Sequence, residues 1–230
     1  AIVDRCLESV RIAWHVGGGR QGKNDRLLPG ELKVFRGRLT VAYRDALKRS
    51  PAALMRLFAA ADREGLELYP YARDQAAQVG HELSPEAARD PELNRELMAA
   101  FLRPGTRGRF LEMMHELGVL PAIIPEFARV TARRQNDLYH VYTVDVHSLF
   151  AVRRLFSLRC GDIDEKFLTE LCQKMARPLA CYLGTLFHDI GKGQGPDHSK
   201  RGAELAAAAC VRFGLDPDDA ADVEWLVLKH

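Results

Sequence analysis

The chain has 230 residues, of which 47% are hydrophobic and 28% charged, and this balance is typical of a soluble globular protein with one large or two small domains. Its formal net charge of +2 excludes the strong electrostatic footprint of a protein that binds DNA, RNA or an anionic membrane surface. No apolar run approaches the roughly 18 residues that a membrane-spanning helix needs, and the charged N-terminal segment excludes a signal peptide, so we expect a cytoplasmic protein without membrane or nucleic-acid partners.

The pattern of the five cysteines does not indicate a disulfide framework. Their number is odd, and no pair has the Cys-x-x-Cys spacing of a zinc knuckle. We therefore expect reduced thiols that are buried on helices of a cytoplasmic protein. They are Cys6, Cys160, Cys172, Cys181 and Cys210.

The glycine-rich segment near the N-terminus is not predicted to bind phosphate. Residues 1–16 are expected to form a helix, and GGGRQGK at 17–23 then breaks it and begins a polar loop. A phosphate-binding loop would follow a strand and would place Ser or Thr after its lysine. Here a helix precedes the glycines, and Asn24 follows Lys23.

Helix is the default prediction for the rest of the chain, because period-two alternation is rare and Leu, Ala, Arg and Glu dominate. Residues 31–48 stay open between a short hairpin around Gly37 and part of a helix. Helices are predicted from Ser50-Pro51 to Gly65, over 71–80, from Asp90-Pro91 to Pro104-Gly105, over 107–117, near 138–158, over 164–187 with a break near Pro178, from Asp197 or Ser199 to Phe213, and from Asp216-Pro217 to His230. The chain is therefore predicted to be all-α.

Histidines and one carboxylate gather in the C-terminal half. Five of the eight histidines lie there, namely His140, His147, His188, His198 and His230. His188 and Asp189 are adjacent, so both reach one point only near a helix end, and Gly191 supplies such an end after the apolar run LGTLF. His140 and His147 are seven residues apart and share a face if their helix starts early enough. Imidazole and carboxylate groups that converge from several elements are typical of a metal site.

Simpler interpretations exist for several of these residues. A single histidine on an apolar helix face, such as His230, is more often a hydrogen-bonded core residue than a ligand. An apolar run that ends in two polar residues, such as His188-Asp189, is also compatible with an ordinary helix end. No role is assigned to His15, His81 or His115.

Three separated pieces of sequence carry a family resemblance. They are His147 followed by Ser148, His188-Asp189-Ile190-Gly191-Lys192, and His198 followed by Gly202-Ala203. In this order and spacing they resemble the HD superfamily of metal-dependent phosphohydrolases. The resemblance implies an HD-superfamily helical domain preceded by a helical connector domain.

The resemblance also implies roles for individual residues. His147, His188 and Asp189 match the metal ligands, and His198 and His230 match further ligands of two-metal relatives. Asp189 bridges two metals if two are present, Lys192 is placed to stabilise phosphate charge, and His140 would orient a ligand or the leaving oxygen. The implied cofactor is a divalent metal, foremost Mn or Mg, with Fe or Zn as alternatives.

A more specific resemblance extends over nearly the whole chain. The segments SPAALMRLFAAADREGLELYP at 50–70, LGVLPAIIPEFARV at 117–130 and YHVYTVDVHSL at 139–149 are similar to bifunctional uridylyltransferase/uridylyl-removing enzymes, which act on the nitrogen-signalling protein PII. The resemblance implies a helical connector at 1–130, following an absent nucleotidyltransferase domain, and an HD phosphohydrolase domain at 131–230. Because the chain starts without Met and the family's later Asp ligand would fall after its last residue, we expect a piece of a longer protein with a C-terminally truncated HD domain.

The function implied is hydrolysis of the phosphodiester that joins UMP to a tyrosine of PII, with a metal that activates water. Transferase activity is not expected of this chain alone. Three alternatives stay open: another HD nucleotide phosphohydrolase, a helical regulatory module whose HD site has decayed, and an HD-bearing tRNA nucleotidyltransferase. The similarity at 50–130 argues against the first, and the near-zero net charge argues against the last.

Overall fold

A computed structural model of the chain describes residues 25–131, 142–193 and 197–230. Three of the sequence predictions therefore lie outside the described residues, namely the helix at 1–16, the glycine-rich loop that follows it and the placement of His140. The prediction for Cys6 lies outside them as well.

The segment whose structure the sequence left open forms a small antiparallel sheet. Its strands are β1 (Arg26–Leu28), β2 (Leu32–Phe35) and β3 (Arg38–Val41), in the order β1-β2-β3. The β2–β3 hairpin turns at Arg36-Gly37, where both residues have positive φ, and this is the geometry of tight hairpin turns. The hairpin alternative around Gly37 is therefore correct, and the sheet is a minor addition to the predicted all-α class.

The rest of the described fold is helical, which confirms the predicted fold class. The helices are α1 (Pro51–Glu64), α2 (Pro70–Glu82), α3 (Pro91–Leu102), α4 (Arg109–Glu116), α5 (Leu120–Ile123), α6 (Val144–Cys160), α7 (Lys166–Gln173), α8 (Pro178–Phe187), α9 (His198–Phe213) and α10 (Pro217–Leu228). Short 3₁₀ turns lie at Ala46–Lys48, Pro85–Arg89 and Pro125–Arg129. Within the described ranges, every helix is too short or too polar to cross a membrane.

Local signals explain several helix boundaries. The side chains of Asp90 and Asp216 accept backbone hydrogen bonds at the starts of α3 and α10. Gly65, Gly161 and Gly214 end α1, α6 and α9 in the left-handed conformation that glycine adopts without strain.

The helix predicted near 138–158 starts later than the sequence suggested. Thr143 has extended backbone and is the N-cap, so α6 begins at Val144. His140 lies outside the described residues, so the helix face that the sequence predicts it to share with His147 stays a prediction.

An aromatic cluster joins the N-terminal helices to the C-terminal ones. Phe101 on α3 packs against Phe110 of α4, Phe156 of α6 and Tyr182 of α8, with ring centroids 5.1, 6.3 and 5.9 Å away. Phe156 and Tyr182 stack at 4.0 Å, and all four side chains are buried. The hydrophobic core is thus continuous across residue 130, so the domain boundary at 130/131 stays a prediction.

We expect Phe101→Leu to lower the free energy of unfolding by about 1–2 kcal/mol, because it removes three aromatic contacts while keeping most of the apolar volume. Urea denaturation followed by circular dichroism measures this. The neighbouring Leu102 is 49% exposed, so Leu102→Ala is the control and should change stability by less than about 0.5 kcal/mol. Equal effects of the two substitutions would contradict the importance of the aromatic cluster.

Candidate metal centre

The His188-Asp189 pair lies where α8 ends and the chain turns toward α9. The apolar residues of α8 are largely buried, and the turn closes with a bond from the Lys192 amide to the Asp189 carbonyl at 3.0 Å. Gly191 is packed against the start of α9, because a Cβ built there would lie 2.0 Å from the carbonyl oxygen of His198. Only glycine allows this approach, which fixes the pair against the core.

Three side chains converge at this turn. His147, from the first turns of α6, places Nε2 4.0 Å from Asp189 Oδ2, and His188 Nε2 lies 3.3 Å from the same oxygen. One ligand atom from each of these three residues lies within 4.8 Å of the other two. The structure therefore brings together His147, His188 and Asp189 as a group that could hold a metal ion.

The tautomer of His188 suits metal binding. Its Nδ1 lies 2.6 Å from the carbonyl oxygen of Thr185, which can only accept a hydrogen bond. Nδ1 must therefore carry the proton, and in the neutral ring the lone pair lies on Nε2, the nitrogen that faces Asp189. A backbone carbonyl that orients a histidine in this way is a common feature of metal sites.

Asp189 is a buried carboxylate with unused lone pairs. Its side chain is 1% exposed, and neither oxygen accepts a well-aligned hydrogen bond. Lys192 Nζ lies 2.8 Å from Oδ2 and forms an ion pair with it. Lys192 supplies one positive charge at Oδ2, and the donor set of two imidazoles and one carboxylate fits a divalent metal.

The charges around the site keep Asp189 ionised. Burial alone would raise the pKa of Asp189, but the His188 ring and the Lys192 ammonium outweigh burial and hold the pKa well below its usual range. The carboxylate therefore stays in the metal-binding form at neutral pH.

His230 lies beside the group at the end of α10. Its Nε2 is 3.5 Å from Asp189 Oδ1, and its ring centroid is 4.6 Å from that of His188. Burial, followed by the charge of His188, lowers the pKa of His230, so its ring is neutral near pH 7. The structure thus places His230 where it can add a fourth donor.

The remaining predicted site residues differ in their relation to the group. His198 is exposed at the N-terminus of α9 and is not part of the three-residue group, although its charge contributes to lowering the pKa of His230. Lys192 lies at the site through its ion pair with Asp189. His140 lies outside the described residues.

Comparison with known proteins agrees with this geometry. Residues 165–230 match the family model of the HD domain. Three curated bifunctional uridylyltransferase/uridylyl-removing enzymes are also similar to the chain. They are those of Azospirillum brasilense (36% identical over 195 residues, 84% of this chain and 21% of that protein), Cereibacter sphaeroides (37% over 211 residues, 90% and 22%) and Erythrobacter litoralis (33% over 207 residues, 89% and 22%).

The chain is thus similar to these enzymes over most of its own length, and its C-terminal part matches the HD domain. It spans about a fifth of the length of the curated relatives it matches. The alignments extend far upstream of the HD match, so the similarity also covers the region before the HD domain. His147 lies on α6, before residue 165, and therefore outside the matched HD range.

One pair near the HD site was missed by the sequence analysis. His115 on α4 places Nε2 2.8 Å from Oδ2 of Asp145, whose side chain is 2% exposed in the first turn of α6. The pair joins α4 to α6 at Asp145, two residues before His147. Asp145 stands in the family-like segment YHVYTVDVHSL, but nothing in the local sequence indicates a partner thirty residues upstream.

We expect His115→Ala to lower the free energy of unfolding by about 2 kcal/mol, because it removes a partner of a buried carboxylate. It should also weaken metal binding by about tenfold or more, because α6 positions His147. Urea denaturation and Mn²⁺ titration measure the two effects. The exposed His81 on α2 gives the control His81→Ala, and equal results for both variants would show that the His115–Asp145 contact is unimportant.

The prediction of free, buried thiols is confirmed for Cys172 and Cys210, but Cys160 is exposed and Cys181 only half-buried. Cys160, Cys172, Cys181 and Cys210 are free. Burial raises the pKa of the Cys210 thiol to about 12, so this residue is an inert part of the core.

Proposed function

We propose that this chain carries the uridylyl-removing activity named in its relatives, the metal-dependent hydrolysis of the phosphodiester between UMP and a tyrosine of PII. The observation that supports this most directly is the buried Asp189, with unused lone pairs, between His147 and His188. The similarity over 195 residues or more favours this reaction over that of another HD nucleotide hydrolase, because it continues far beyond the HD match.

His147, His188 and Asp189 would hold the metal, with His230 as a fourth donor and His198 as a ligand of a second ion. When bound, a divalent metal supplies a Lewis acid that lowers the pKa of water and polarises a phosphoryl oxygen. Mn²⁺ or Mg²⁺ is proposed first, and Fe or Zn is compatible with a mixed nitrogen and oxygen donor set.

The chain's own residues prepare the site for a phosphodiester. The Thr185 carbonyl holds the His188 ring in one tautomer, and the Asp189 side chain, which is 1% exposed, is held in place by its surroundings. Lys192 carries positive charge at the rim of the site, where it would stabilise negative charge that develops on the phosphoryl oxygens. His140 is proposed to orient a ligand or the leaving tyrosine oxygen.

The proposed division of the chain follows from these roles. Residues 1–130 would be the helical connector and residues 131–230 the HD domain, which then contains α6 with His147. The substrate would be PII carrying UMP on a tyrosine, in the cytoplasm, and no nucleic-acid or membrane partner is proposed.

Release of UMP from uridylylated PII in the presence of Mn²⁺ tests the proposal. The double variant His188→Ala/Asp189→Ala should lose this release, while His81→Ala/Asp74→Ala, which removes an exposed histidine and an exposed aspartate from α2, should keep it. Metal binding without UMP release would assign the site to another substrate. Absence of both would favour a regulatory module.

A further inference from the structure

A cavity of about 600 Å³ opens next to the candidate metal centre. His188 and His230 both line the cavity, so the cavity shares His188 with the three-residue metal group and also reaches the neighbouring His230. Leu155 of α6, Met175 and Leu226 of α10 contribute apolar surface. The size is within the range of roughly 300–1,000 Å³ that is typical of small-molecule sites.

We propose that this cavity binds the pyrimidine nucleoside of the substrate, with the phosphate directed toward His188. The inference rests on the proposed function and adds the substrate group that this site recognises. A phosphodiester at the metal carries two organic groups, the nucleoside and the tyrosine. The tyrosine belongs to a folded protein that approaches from outside, whereas a nucleoside is small enough to fit within the cavity.

Trp225 provides the recognition surface. Its side chain lines the cavity and is 58% exposed, which is unusual for the largest apolar side chain. An exposed indole ring beside a cavity can stack on the flat base of a nucleoside. Stacking accepts any base, because every base has a π face.

The other lining residues suit an uncharged ring with polar edges. Leu155 and Met175 offer apolar and polarizable contacts to the ring. Lys229 lines the cavity and can donate to a base carbonyl or a ribose hydroxyl. Cys181 also lines the cavity, and burial raises the pKa of its thiol, so the thiol stays neutral and adds no negative charge that would repel a nucleotide.

Intrinsic fluorescence tests the inference directly, because the chain has two tryptophans, Trp14 and Trp225. In the Trp14→Phe variant the signal comes from Trp225 alone. UMP and uridine should quench it saturably, and inorganic phosphate should not. Quenching by phenyl phosphate but not by uridine would overturn the inference, because the cavity would then hold the tyrosine side of the ester.

Equilibrium dialysis with labelled UMP measures UMP affinity independently, in variants of the chain that keep Trp14. Trp225→Ala should weaken UMP binding by about tenfold and leave Mn²⁺ binding unchanged. Val211, which is 79% exposed on α9, gives the control Val211→Ala with unchanged UMP binding. Equal UMP affinity in Trp225→Ala and the unchanged chain would overturn the inference.

The fluorescence and dialysis measurements are separate from the test of the proposed function. Neither binding measurement requires turnover. Failure of the function would appear as missing metal binding or missing UMP release from uridylylated PII. Failure of the inference would appear as unchanged UMP affinity in Trp225→Ala while the chain still binds Mn²⁺ and releases UMP.

Discussion

Asp189→Asn is expected to abolish tight metal binding, with a loss of affinity of more than about 100-fold. Removing a residue that only supports a ligand already costs about 10–100-fold, and the loss of a ligand itself should exceed this. Asparagine keeps the shape of the side chain but offers one neutral acceptor in place of the buried carboxylate that His147, His188 and Lys192 surround. UMP release should fall by at least the same factor.

Thermal unfolding with and without Mn²⁺ measures this effect. For the unchanged chain, metal at 100 times its dissociation constant should add about 2.7 kcal/mol, which corresponds to a rise in Tm of roughly 5–10 °C at this length. The rise should vanish in Asp189→Asn and persist in Asp164→Asn, which changes an exposed carboxylate in the turn before α7. A full metal-induced rise in Asp189→Asn would show that the metal binds elsewhere.

Gly191→Ala is expected to cost about 3 kcal/mol of folding free energy or more and to remove metal binding. The new methyl carbon would lie 2.0 Å from the carbonyl oxygen of His198 and 2.7 Å from the amide nitrogen of Gly202. Both are backbone atoms, so the clash cannot be relieved by rotating a side chain. The turn must move away from α9, and the His188-Asp189 pair would move with it.

Gly214→Ala is the matched control for this substitution. Gly214 has φ of +71° at the end of α9, and a Cβ there meets nothing within 4 Å. Its replacement should therefore cost only the conformational strain of about 1–2 kcal/mol. Calorimetry of both variants compares them, and a smaller loss for Gly191→Ala than for Gly214→Ala would contradict the close packing of the turn.

Local signals made the helical fold and the His188-Asp189 pair predictable. Prolines after Ser50, Asp90 and Asp216 marked helix starts, and the break at Pro178 separates α7 from α8 as expected. These features act within a few residues, so a sequence shows them directly. The pair could be placed at a helix end because Gly191 follows an apolar run.

Features that depend on distant partners could not be read from the sequence. The His115–Asp145 contact joins residues that are thirty positions apart, and no motif around His115 indicates this contact. The hairpin at Gly37 stayed open because its strands are three or four residues long, too short for a clear alternation. The cavity beside His188 is built from α6, α8, α10 and the segment before α8, and it becomes visible only when these are packed.

UMP release from uridylylated PII by the unchanged chain, measured after removal of metal with EDTA and again after addition of Mn²⁺, tests metal-dependent hydrolysis at this site. We predict no release in EDTA and restored release with Mn²⁺, with PII returned to its unmodified mass. UMP release that continues in EDTA at the same rate, or uridylylated PII that stays intact although Mn²⁺ is bound, would contradict the account.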